Sequence, residues 1–140
     1  MRIYIAAPLA CGYLARHAAD SLRAERHTVL STWHEIDRSG DPLEHGSRLG
    51  QLAANLSELD AADVVVALMS HGTPRATNVE IGYAIARGKR VVWQANNGEN
   101  ANLFDAHPLV MQTRTASETA AALERMARTV RDTLPDAGDA

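Results

Sequence analysis

The chain has 140 residues, 46% of them hydrophobic, and a formal net charge of −3, which suits one domain with a buried core and leaves no basic footprint for a nucleic acid polymer or an acidic membrane. A single cysteine, Cys11, excludes an internal disulfide and a Cys-rich metal site. No signal peptide or apolar run near the roughly 18 residues of a membrane helix is present, so a soluble, cytoplasmic protein is expected.

The elements follow in chain order. "RIYIA" at 2–6 is a short β-branched and aromatic run, and the helical pattern from Gly12 carries Leu14, Ala18, Ala19 and Leu22 on one face. "HTVLST" at 27–32 predicts a second strand, and "WHEIDRSGDPLEHGS" at 33–47 a surface loop. From Arg48 to Ala62, Leu49, Leu52, Ala53, Leu56 and Leu59 recur at helical spacing, and "DVVVALM" at 63–69 reads as a central strand buried on both faces. The next helix has Glu80 at the junction of polar loop and apolar helix and runs to Gly88, a C-cap residue; "KRVVWQA" follows as a strand. A polar stretch, a short strand "LVMQT" and a last helix over 116–134, stopped by Pro135, complete the chain, leaving 135–140 as a tail.

This alternation predicts one doubly wound, Rossmann-like or flavodoxin-like α/β domain over 1–134, with a five-stranded parallel sheet and helices on both faces. Ligands in such sheets sit at the carboxyl ends of the strands, which directs attention to the loops after Ala6, Thr32, Met69 and Gln94.

Glu80 has two readings. It is either a helix-end charge favoured by the macrodipole, or a shielded carboxylate aimed at a cleft and able to attack a sugar carbon. The flank favours the second: apolar Val79, Ile81, Ala84 and Ile85, Gly82, and a preceding loop "HGTPRAT" able to fold over a ligand. Tyr4 points away from the face shared by Ile3 and Ile5 and serves as a structural hydroxyl or as an orienter of a carboxylate. Asn55 is an amide among leucines, solvated or satisfying loop backbone. Trp33 is a lid on the core or a wall against which a base stacks. The six histidines lack metal spacing, and neither a Gly-x-Gly-x-x-Gly turn nor a P-loop is present, so neither metal nor cofactor is expected.

"RIYIAAPL", "LDAADVVVALMSHGT" and "NVEIGYAIARGKRVV", in that order, resemble the nucleoside 2-deoxyribosyltransferase superfamily, which includes the 2′-deoxynucleoside 5′-monophosphate N-hydrolases; the similarity spans about residues 2–112. The resemblance implies that Glu80 is the nucleophile at C1′, that Tyr4 holds its carboxylate, and that the protein forms a homodimer or higher homo-oligomer with Asn102 completing a neighbour's site. It further implies a nucleoside or nucleotide substrate contacted by the loops holding Pro8, Trp33, Gly72, Thr73, Arg75 and Asn78. Two departures stand out. Asn55 occupies the place of an aspartate eight residues before Asp63, and an amide cannot exchange that proton; Asp60, five residues on at about 100° each, faces elsewhere. Pro8 and Ala10 stand where phosphate-binding relatives have Ser and Arg, which leaves Arg75 as the compensating guanidinium. A nucleotide sensor that kept the pocket without catalysis is the alternative.

Overall fold

In the computed structural model, residues 1–36 and 45–133 are described, with backbone alone for 45–47. Five strands, β1 (Arg2–Ala6), β2 (Thr28–Val29), β3 (Val64–Leu68), β4 (Arg90–Gln94) and β5 (Val110–Thr113), form one sheet in the order β2-β1-β3-β4-β5. All four pairings are parallel. Helices α1 (Gly12–Ala24), α2 (His45–Ala61), α3 (Arg75–Ala86) and α4 (Ala116–Thr133) connect or follow them, giving the doubly wound α/β fold. The order reverses between β1 and β3, so the chain leaves these neighbours in opposite directions and opens a crevice at their carboxyl ends.

The register Tyr4↔Val65↔Val91 and Ala6↔Ala67↔Trp93 puts these residues on one face of the sheet; Ile5↔Val66↔Val92 lie on the other. Burying Val64, Val65, Val66, Val91 and Val92 almost completely makes β3 and β4 the centre of the core, which is why β3 reads as an unbroken apolar run.

Several expectations need correction. The second strand is only Thr28–Val29, because Ser31 turns its hydroxyl to the Ile5 amide (3.1 Å) and ends the ladder. Trp33 and His34 do not open a surface loop: they form a 3-10 turn, Trp33–Glu35, and are buried, with the Trp33 indole donating to the Ile5 carbonyl at 2.8 Å. The rest of the expected loop over 37–44 and the tail over 134–140 lie outside the described residues. In α2, Leu59 is buried but Leu49 and Leu52 are more than half exposed, so the predicted apolar stripe meets the core only at its C-terminal end. Helix α3 starts at Arg75, which places Glu80 in its second turn instead of at its start. Its end matches the sequence: the helix closes at Ala86, and Gly88 adopts φ +71° while Lys89 N–H bonds back to the Ala84 carbonyl at 2.9 Å.

Candidate active site

Tyr4, fully buried on β1, and Glu80, on α3, meet on the face of the sheet below the switch point. Burial dominates the acidity of Glu80 and pushes its carboxyl up to about 7, against a smaller opposing effect of the Tyr4 hydroxyl. Tyr4 is shifted upward in turn, by burial first and then by the Glu80 charge. The two groups are adjacent, yet neither the Tyr4 hydroxyl nor Glu80 Oε2 has a hydrogen-bond partner of ordinary geometry. A pair of orphaned buried polar atoms costs stability. Thr77, one turn before Glu80 and wholly buried, adds a third orphan, its Oγ1. Nothing in the sequence marked Thr77 beyond its spacing of three from Glu80.

The loops after β1 and β3 touch above this pair. Gly72 has φ +68°, and a Cβ built there would lie 3.2 Å from Pro8 Cβ and 3.5 Å from Cys11 Sγ. Pro8 is buried, and its carbonyl accepts from Cys11 N–H at 2.8 Å. Thr73 is exposed and receives the Arg75 amide on its carbonyl at 3.0 Å. Arg75 opens α3 exposed to solvent.

Asn78 and Asn102 come together within one chain. Asn102 Nδ2 lies 3.4 Å from Asn78 Oδ1, and Asn102 Oδ1 accepts from Phe104 N–H at 2.9 Å, capping the 3-10 turn Leu103–Ala106. Beside them Ile81, Trp93, Leu103 and Phe104 line a groove of about 360 Å³.

Asn55 is half-buried on α2, and its Oδ1 accepts from Gln51 at 2.6 Å. Asp60 is engaged elsewhere, accepting from Tyr83 (3.0 and 3.1 Å) and Arg87 (2.9 Å). Trp33 packs edge-on to His34, ring centroids 5.4 Å apart, as a buried cover of β1. His34 Nε2 is 3.0 Å from Ser31 Oγ, and burial lowers its basicity.

A second, larger cleft of about 620 Å³ lies on the opposite face, between α1 and α4 over Val66, Leu68 and Gln94. Cys11 lines it, but none of the candidate catalytic or substrate-binding residues does; the site rests on its chemistry, the carboxylate of Glu80 beside the buried phenol of Tyr4, and not on volume. Among the described residues no group of three or more His, Cys, Asp or Glu could hold a metal ion. No described helix is long and apolar enough to cross a membrane.

These features define a class, an α/β protein with a carboxylate and a buried phenol brought together near the switch point of a parallel sheet. Residues 3–130 match the nucleoside 2-deoxyribosyltransferase family, and the chain belongs to it. No curated protein sequence matches. Among solved structures, it resembles a 2-deoxyribosyltransferase of Bacillus psychrosaccharolyticus (TM-score 0.68, 20% identity, covering 86% of this chain and 90% of that one). It also resembles a CMP N-glycosidase of Clostridium botulinum (0.60, 16%, 89% and 99%) and a conserved protein of Enterococcus faecalis (0.66, 16%, 90% and 98%). At these identities the likeness is one of fold.

Proposed function

We propose that the protein breaks the N-glycosidic bond of a nucleoside or nucleotide and passes the sugar to water or to a second base. The observation that carries this is Glu80: a carboxylate whose Oε2 is buried beside the fully buried Tyr4 hydroxyl, in a chain of this family. In the reaction the ionised Glu80 attacks C1′ through an oxocarbenium-like transition state, the C1′–N electron pair leaves with the base, and a glycosyl ester on Glu80 remains. The Tyr4 hydroxyl donates to the carboxylate and aims it. Arg75, exposed at the start of α3, would meet a 5′-phosphate, and the likeness to a CMP N-glycosidase supports a nucleotide. Asn78 and Asn102 border the site, which two chains would complete in a cytoplasmic homo-oligomer.

The sensor reading keeps one observation in its favour, the amide at Asn55. Incubation with a panel of nucleosides and nucleotides, followed by chromatography for free base, decides between them. Release by the wild type and none by Glu80→Gln is expected. With a slowly turning 2-fluoro-arabinosyl nucleoside, intact-protein mass spectrometry should find a sugar adduct on the peptide holding Glu80; bound but unmodified protein would favour the sensor.

A further inference from the structure

Covalent sugar transfer needs a second group besides the nucleophile, one that takes a proton from the incoming water or acceptor base. Asn55 cannot supply it, and Asp60 is tied to Tyr83 and Arg87. His34 is buried against Ser31. Glu58 lies one turn along α2 from Asn55, about 60° around the axis and about 4.5 Å along it. It is only partly buried. Thr32, which opens the 3-10 turn Trp33–Glu35, grips its carboxylate with two donors, its backbone N–H at 3.2 Å and its hydroxyl. The next residue, Trp33, is bonded to Ile5, the neighbour of Tyr4, so the Glu58 carboxylate is fixed to the same strand end as the proposed site. The Tyr4 hydroxyl accordingly feels the charges of two carboxylates, Glu80 and, more weakly, Glu58.

We propose that Glu58 is the general base of the second half-reaction, an assignment that rests on Glu80 being the nucleophile. Glu58 takes a proton from water, or from the N–H of an acceptor base, as that atom bonds to C1′; the C1′–O bond to Glu80 breaks and its electron pair returns to the Glu80 carboxylate. The proton then leaves Glu58 for solvent.

The test uses the full-length protein and whichever nucleoside or nucleotide the wild type cleaves fastest. Glu58→Gln should release a burst of base equal to the enzyme concentration and then turn over about 10²- to 10⁴-fold more slowly than wild type. The sugar should accumulate on Glu80, and azide, a nucleophile that needs no deprotonation, should restore turnover with a glycosyl azide as product. Wild-type steady-state turnover in folded Glu58→Gln would overturn the assignment; so would a burst and steady state slowed equally with no azide rescue, the mark of a merely structural contact with Thr32. If Glu58→Gln does not fold, Glu58→Asp asks the same question, since a withdrawn carboxylate should slow the second phase alone. Failure of the Glu80 reading looks different: the wild type releases no base, or release survives Glu80→Gln.

Discussion

Glu80 titrates near 7 instead of near its ordinary 4.5 because burial disfavours its anion more than Tyr4 relieves it. The folded state therefore holds a proton that the unfolded chain has lost between these two values, and this contribution to stability is full at low pH, declines as pH rises from about 4.5 to about 7, and levels off above. The ceiling on that loss is on the order of 3 kcal/mol. Glu80→Gln, which cannot ionise, should thus melt higher than wild type at pH 8 and close to it at pH 4, as read by calorimetry at both values. Because attack needs the anion, kcat/KM should rise with pH through a midpoint near 7. A flat profile between pH 5 and 8 would argue against Glu80 as the attacking group. The charge that the proposed chemistry calls on is the charge the fold resists, a common trade at active sites.

At the scale of elements, the loops after β1 and β3 form one unit through Pro8, Gly72 and Cys11. Gly72→Ala places a Cβ in a left-handed backbone and 3.2 Å from Pro8 Cβ, and it should cost about 1–3 kcal/mol and reduce kcat/KM by moving the loop that leads into α3. Gly98→Ala has a similar φ of +72° but nothing within 4 Å, so its loss of stability should be smaller and its kcat/KM unchanged; equal effects in both variants would mean that contact with Pro8 is irrelevant. Strands β1, β3, β4 and β5, the last helix and the Gly88 terminator were legible because periodicity and glycine chemistry are local signals. The early start of α3 was not, since Pro74 precedes it and no side chain caps it. The short β2 was hidden because Ser31 replaces a ladder bond with its side chain, a tertiary event with no local pattern. Pairing of Tyr4 with Glu80 came from the family resemblance. Glu58 was discoverable from its spacing to Asn55, but only the grip of Thr32, a contact between residues 26 positions apart, brings it to the strand end.

Across the whole molecule, apolar side chains remain uncovered on the flank that carries the site. Val79 is 72% exposed, Leu103 92% and Phe104 58%, and the β4–β5 connection carries two 3-10 turns where a helix would otherwise cover the sheet. Exposed apolar side chains of this kind suit burial against a second chain. Sedimentation at micromolar concentration should show a dimer or larger species, and the double substitution Leu103→Asp with Phe104→Asp should shift it to the 15.1 kDa monomer with loss of activity. A monomeric wild type would remove Asn102 from the site.

The two tryptophans divide this molecule optically. Trp93 lines the groove with Phe104, whereas Trp33 lies against His34 and β1. Emission from Trp93 should follow assembly, and emission from Trp33, bonded to the Ile5 carbonyl beside Tyr4, the binding of ligand at the carboxyl end of β1. Trp93→Phe leaves a single fluorophore beside the chemistry, so the unaltered light of one indole can time the arrival of substrate separately from the meeting of two chains.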